Sequence, residues 1–136
     1  MLRSNTLIDA IVSSDGVSDS ITFQLGEAAP GPIGSTGRLR PVEPPFFQDG
    51  TGLPVTVLGT HFVGLHLEGM LLADEDGAAL YQGPTSVKPA LLSLRQVEMF
   101  EAFEGVYIFV LGYDGNGCVA LADDAAAKTL TVTIGH

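Results

Sequence analysis

The spacing of apolar residues predicts short β-strands along most of this chain. Residues 20–25, 61–68 and 129–134 alternate between apolar and polar side chains, which is the period of a strand with one face toward water. The apolar positions of these segments, which we expect to face inward, are Ile21, Phe23, Leu25, Val63, Leu65, Leu67, Leu130, Val132 and Ile134.

A different pattern occurs at residues 106–111, which are all apolar and lie between Gly105 and Gly112. β-Branched and aromatic side chains dominate this short run, so it predicts a strand that is covered on both faces rather than a helix. Residues 91–100 form a second β-prone run, and residues 102–105 are short enough to be the turn between the two. The pair is therefore expected to be the inner hairpin of a sheet.

Further strands are predicted at residues 6–12, 38–42 and 55–58. The second of these should lie at a sheet edge, because Pro41 has no amide proton to donate to a central ladder. A loop rich in glycine and proline is expected over residues 26–37. The sequence Asp-Gly-Asn-Gly at residues 114–117 is typical of a tight turn between strands, and residues 123–128 could form one helical turn.

These elements predict an all-β fold of about eight or nine short strands with almost no helical periodicity. The expected architecture is a two-layer antiparallel β-sandwich, and a flattened barrel is the main alternative. A chain of 136 residues, without a linker or internal repeat, is most simply a single domain over residues 1–136.

Charge narrows the range of partners. The chain has 16 acidic and only 6 basic residues, for a net charge of −10. Such a protein repels phosphates on average, so nucleic acids and anionic membrane surfaces are poor candidates. No apolar stretch approaches the roughly 20 residues that a membrane-spanning helix needs, and we expect a soluble chain.

Metal and catalytic chemistry find little support in the sequence. His61 and His66 are an odd number of residues apart and should point to opposite faces of one strand, while His66 and Glu68 share a face without a further ligand. The acidic turns at residues 74–77 and 114–117 fit turn formation better than calcium binding. No nucleophile motif is present, so the sequence predicts no enzyme, no metal and no cofactor.

Cys118 is the single cysteine, which excludes an internal disulfide. It begins the apolar run of residues 118–121, and we expect it to be a small buried hydrophobic side chain rather than a nucleophile.

Rings and cations supply the candidate ligand-binding residues. Several aromatic side chains lie in or beside predicted loops and strand ends, where rings can offer flat contact surfaces, although packing in the core is the alternative for each. The candidates are Arg38, Arg40, Tyr81 and Tyr113.

Several motifs resemble the AMIN-like domain of actinobacterial exported proteins and lipoproteins. Residues 103–112 begin with Phe-Glu-Gly and end with Gly, and Phe109 stands where the family usually has Trp. Residues 49–55 read Asp-Gly-Thr-Gly-Leu-Pro-Val, and residues 81–84 read Tyr-Gln-Gly-Pro, as in two further family segments. The resemblance spans roughly residues 17–134.

The related AMIN domain is a β-sandwich that accompanies cell-wall amidases and secretin components and targets them to the envelope through peptidoglycan. The resemblance therefore implies a non-catalytic module that binds a cell-wall polymer, above all peptidoglycan, or an envelope protein. It implies a place in the cell envelope or outside the cell if a leader has been removed. Two alternatives stay open: an interaction domain that self-associates or binds a peptide at a sheet edge, and a small ligand-binding barrel.

Overall fold

The structure, a computed structural model, describes residues 4–26, 37–48, 51–74, 76–103 and 105–136, and the side chains of Glu101 and Phe103 are not described. Most of the predicted loop at residues 26–37 and the start of the motif at residues 49–55 thus lie outside the described residues. No helix occurs in the described ranges. The strands are β1 (Leu7–Ser14), β2 (Ser18–Leu25), β3 (Arg38–Pro41), β4 (Phe46–Phe47), β5 (Pro54–Val55), β6 (His61–Leu67), β7 (Ser86–Val87), β8 (Leu94–Phe103), β9 (Val106–Tyr113), β10 (Val119–Asp124) and β11 (Thr129–Gly135).

Two antiparallel sheets form the layers of a β-sandwich. The four-stranded sheet has the order β1-β2-β11-β10, and the five-stranded sheet has the order β3-β6-β9-β8-β7. Strands β4 and β5 make a separate two-stranded hairpin. The predicted all-β sandwich is confirmed, but the described residues form eleven strands rather than eight or nine. The prediction missed β4 and β7 and overlapped β5 only at Val55, because a periodicity of two cannot show in strands of two residues.

The core lies between the two sheets. Every alternating apolar position predicted to face inward is buried, in β2 and β11 from one sheet and in β6 from the other. Phe23 on β2 and Phe109 on β9 join the layers, with their ring centroids 4.8 Å apart. The alternation thus identified the buried face of each of these strands.

Strand β9 is central. The predicted cover on both faces is confirmed for its second half, while Val106 and Ile108 are only half-buried. It pairs with β6 on one side and with β8 on the other. Phe109 and Leu111 belong to the main core, while Val110 and Gly112 are buried on the opposite face. The predicted hairpin with residues 91–100 is confirmed, although β8 continues to Phe103 and Gly105, at φ 80°, forms the turn.

Part of the outer face of the five-stranded sheet is covered by residues 42–47 and 55–58. The ring of Phe46 packs against Phe62 and Phe100, at centroid distances of 5.2 and 5.6 Å. Farther along, the buried Gln96 side chain accepts a hydrogen bond from the Leu58 amide at 2.9 Å. The strand predicted over residues 55–58 is therefore wrong beyond Val55, because residues 56–58 lie across the sheet and not in a ladder.

Two predicted connections are also corrected. Residues 114–117 do not close a hairpin, since β9 belongs to the five-stranded sheet and β10 to the four-stranded one. Residues 123–128 are not helical: β10 runs to Asp124, whose carboxylate accepts hydrogen bonds from the amides of Ala126 and Ala127 at 3.0 Å each. A side chain that binds the following amides stabilises a turn in place of a helix.

Cys118 is exposed, contrary to the prediction of a buried side chain. It lies in the link between the sheets, one residue before β10, which is an edge strand. The inward-facing residues of β10 are Val119 and Leu121, which are partly buried against the core.

Candidate ligand-binding groove

The two candidate arginines lie on edge strand β3, with both side chains exposed. Arg38 forms an ion pair with Glu68 across to the end of β6. For Arg40 no ion pair with another described residue is found. Register places Arg38 opposite His66 and Arg40 opposite Gly64. On the other side of β6, Tyr113 pairs with His61, at the start of that strand. Tyr113 therefore lies toward the opposite end of β6 from Arg38.

The candidate Tyr81 is buried rather than displayed. Its ring packs edge-on against Tyr107 and Phe109, with centroids 6.0 Å apart in both cases. Its hydroxyl donates to the Pro84 carbonyl oxygen. Burial raises the pKa of the Tyr81 hydroxyl, and the negative charge of Asp9 raises it further. The structure therefore does not bring the predicted arginines and tyrosines to a single site.

Tyr113 lies in a groove with a volume of about 410 Å³ at the end of the five-stranded sheet. One wall is formed by the chain that leaves β3, and the opposite wall by the start of β6 and the end of β9. The ring of Tyr113 faces that of His61 at a centroid distance of 5.5 Å and an angle of 35°. The groove is lined by Pro41, Glu43, Pro44, Thr60, His61 and Tyr113, among others.

Strand pairing and one carboxylate fix the rim of the groove. His61 and Tyr113 are direct partners in the β6–β9 ladder, which holds their rings side by side. The Asp114 carboxylate then accepts hydrogen bonds from the Thr60 amide at 2.9 Å and the Thr60 hydroxyl at 3.2 Å. Its second oxygen lies 3.1 Å from Arg95 Nη1. The predicted turn residue Asp114 thus ties the two strand ends together.

A second hollow of about 300 Å³ continues the groove, because both are lined by Pro44 and Phe62. Next to it lie strands β4 and β5. Phe47 on β4 is 54% exposed, and Leu53, the residue before β5, is 63% exposed. Prolines and rings offer flat apolar surfaces, while Glu43 adds a hydrogen-bond acceptor. This combination suits a ligand that has apolar faces edged with hydroxyl or amide groups, as sugars and peptides do.

Comparison with known proteins gives a family for the chain. The profile of the AMIN-like domain matches residues 17–132. The chain belongs to the AMIN-like domain family. Such domains are generally associated with the cell envelope or the extracellular side of the cell. Searches of curated proteins and of solved structures gave no match. Across the described residues, no helix is long and apolar enough to cross a membrane.

The acidic turns of this AMIN-like domain use their carboxylates for backbone hydrogen bonds. Asp74 accepts from the amides of Asp76 and Ala78 at 2.9 Å each, which supports the prediction that this segment is a turn. His61 and His66 are partners of Tyr113 and Ile108, five positions apart along β9, so they lie on opposite faces as predicted. Within the described ranges, no three His, Cys, Asp or Glu side chains come together.

One polar cluster of the AMIN-like domain was not predicted from the sequence. Asp19 is fully buried, and its carboxylate accepts hydrogen bonds from the amides of Ser93 and Leu94 at 2.7 and 2.9 Å. Its other oxygen lies 2.7 Å from His136 Nε2. Burial alone would raise the pKa of Asp19, but the bonds from His136 and both amides outweigh it and lower the pKa to about 2. The detectable signal was the position of Asp19, two residues before the inward-facing Ile21.

Proposed function

We propose that this AMIN-like domain is a non-catalytic module that binds a cell-envelope polymer, with peptidoglycan as its first ligand. The observation that carries the proposal is the family match over residues 17–132, because the family is associated with the envelope. The groove at His61 and Tyr113 supports it by supplying a concave surface of suitable size. Typical small-molecule sites have volumes of about 300–1,000 Å³.

The chemistry of the groove favours the glycan part of such a polymer. The tilted rings of His61 and Tyr113 can contact the apolar face of a sugar ring, and Glu43 can accept hydrogen bonds from its hydroxyl groups. A sugar ring carries no net charge, so the net charge of −10 on the protein does not oppose its binding.

Binding rather than catalysis is favoured by how the well-placed carboxylates are used. Asp19, Asp74 and Asp114 each accept backbone amide hydrogen bonds that hold turns or join the sheets. A general acid or base must instead reach the reacting group with its proton. Glu43 is the acid that lines the groove, and we assign it to ligand hydrogen bonding.

Retention by purified peptidoglycan sacculi tests this function. The protein should sediment with sacculi at low salt and stay in the supernatant without them. His61→Ala combined with Glu43→Gln should lower the retained fraction several-fold, since both side chains line the groove. Thr131→Ala, on the outer face of the four-stranded sheet, is the control and should be retained like the unchanged protein. Absence of retention at low salt would contradict the proposal.

A further inference from the structure

A separate cavity of about 230 Å³ lies between the chain at residues 72–85 and the hairpin of β8 and β9. Its wall is largely hydrocarbon. Leu72, Ala79, Met99 and Ala102 line it, together with Tyr81, Thr85 and Tyr107. Ala79 and Ala102 are exposed, so the cavity opens to solvent. It shares no lining residue with the groove at His61 and Tyr113.

The buried polar group of this cavity that could bind a ligand is the hydroxyl of Tyr107, since Thr85 is exposed. Tyr107 is only 2% exposed, and burial raises the pKa of its hydroxyl. Among the described residues no hydrogen-bond partner for this hydroxyl is found, whereas the Tyr81 hydroxyl donates to Pro84. A buried donor without a partner is unfavourable unless a ligand or water accepts its hydrogen bond.

Tyr107 lines the cavity, and its hydroxyl is not fully enclosed by the protein. In the described part of the chain, every fully enclosed side-chain nitrogen or oxygen atom has a hydrogen-bond partner. The Tyr107 oxygen, for which no partner is found, is therefore not fully enclosed, and the cavity is the accessible space that Tyr107 lines. The cavity thus presents a largely apolar wall, the exposed Thr85 and one buried donor that has no partner among the described residues.

We propose that this cavity binds the acetamido group of an N-acetylated amino sugar. The methyl group would contact the aliphatic wall formed by Leu72, Met99 and Ala102, and the carbonyl oxygen would accept a hydrogen bond from Tyr107. The choice of this ligand rests on the proposed function, because the glycan strands of peptidoglycan are built from N-acetylated sugars. The cavity itself is a second site, distinct from the groove.

Size and charge argue for this group over other ligands. A volume of about 230 Å³ exceeds a benzene-sized cavity of about 150 Å³ but is smaller than most drug-sized pockets, so a long acyl chain does not fit. A carboxylate or phosphate is disfavoured by the apolar wall, and by Asp9, whose negative charge acts on neighbouring Tyr81. A small neutral group with one acceptor satisfies both limits.

The test is a titration of the full chain followed by two-dimensional NMR, with N-acetylglucosamine, glucosamine and glucose as probes. N-acetylglucosamine should shift the amide resonances of Ala79, Met99 and Ala102 in a saturable manner. Glucosamine and glucose, which lack the acetamido group, should not shift them at the same concentrations. Equal shifts with all three sugars, or none with N-acetylglucosamine, would overturn the inference.

Two variants separate the hydroxyl from the cavity shape. Tyr107→Phe keeps the ring and should weaken N-acetylglucosamine binding about 3- to 10-fold, the usual effect of losing one hydrogen bond. Ala102→Leu keeps the hydroxyl but fills the opening and should abolish binding. Thr131→Ala, on the outer face of the four-stranded sheet and away from both the cavity and the groove, is the control and should bind with unchanged affinity. Thermal unfolding checks that each variant is folded. Full affinity in Tyr107→Phe would overturn the assignment of the donor.

The sacculus experiment keeps this inference separable from the proposed function. Retention of the protein by sacculi without any N-acetylglucosamine binding in the cavity would overturn the inference and leave the proposed function standing. N-acetylglucosamine binding without retention by sacculi would support the cavity site and contradict the proposed function.

Discussion

At the scale of single residues, Asp19 links the two sheets through buried hydrogen bonds. It is on β2 of the four-stranded sheet, and it accepts hydrogen bonds from the amides of Ser93 and Leu94, at the start of β8 in the other sheet. A buried carboxylate is stable only when such bonds replace its hydration. The ionised form is therefore favoured in the folded protein.

This arrangement predicts an acid-dependent loss of stability. The folded pKa of about 2 is below the ordinary value of 3.8, so the contribution of Asp19 is complete above pH 3.8 and disappears as the pH falls toward 2. The difference corresponds to about 2 kcal/mol. Denaturant unfolding at several pH values should show this acid-dependent decrease in the native protein and a smaller one in Asp19→Asn.

The same substitution should also lower stability at neutral pH by about 2 kcal/mol, because bonds to a charged acceptor are lost. Asp76→Asn, in an exposed turn, is the matched control and should change little. An Asp19→Asn variant with the acid dependence of the native protein would contradict the role given to this carboxylate.

Half of this pairing could be predicted from the sequence. Asp19 is in phase with Ile21, Phe23 and Leu25, and an acidic residue in an inward-facing position indicates a buried charge. Its partner His136 is 117 positions away, and only the packing of β2 beside β11 brings the two together. No periodicity carries that information.

At the scale of elements, the close approach of residues 56–59 to β9 requires glycine at position 112. A Cβ atom placed there would lie 1.9 Å from the Leu58 carbonyl oxygen, a backbone atom that cannot move alone. This contact explains why the apolar run of β9 ends in glycine. The sequence indicated the boundary of the strand, but not the segment packed against it.

Gly112→Ala should therefore destabilise the protein by about 2–3 kcal/mol, the usual cost of forcing extra atoms into a packed region. Gly64→Ala is the control on the same face, where the nearest atom is a Val42 methyl carbon at 3.1 Å and a side chain can adjust. Chemical denaturation should show a clearly smaller loss for Gly64→Ala. Equal losses in the two variants would refute the proposed contact.

The ring of Phe46 holds the same covering segment against the sheet through Phe62 and Phe100. Phe46→Ala should loosen residues 42–47 and 55–58 and speed hydrogen exchange of the Leu58 amide, which is bonded to Gln96. Phe47→Ala, its exposed neighbour, should leave that exchange rate unchanged. Unaltered exchange in Phe46→Ala would show that other contacts hold the segment.

The elements predicted correctly are those with a clear period. Strands β2, β6 and β11 alternate, and β9 is apolar throughout, so their buried faces follow directly from the sequence. Elements of two residues have no period, and residues 55–58 look like a strand although Leu58 binds a side chain instead of a ladder partner. Such errors arise because tertiary contacts determine whether a short segment pairs as a strand.

At the scale of the whole molecule, two apolar layers form the core and leave the strand ends and loops to form the groove. The sequence correctly indicated a sandwich, but it could not place Tyr113 beside His61 and Glu43. That grouping depends on the ladder between β6 and β9 and on the path of the chain after β3. The binding roles of Arg38, Arg40, Tyr81 and Tyr113 stay predictions.

The central claim, that the groove binds an envelope glycan, is tested most directly by hydrogen exchange with mass spectrometry in the presence of soluble peptidoglycan fragments. Peptides covering residues 41–44 and 60–62 should exchange more slowly with the fragments than without them. The protection should disappear in the variant that combines His61→Ala with Glu43→Gln. Protection confined to the four-stranded sheet, or none at saturating fragment concentration, would contradict the account.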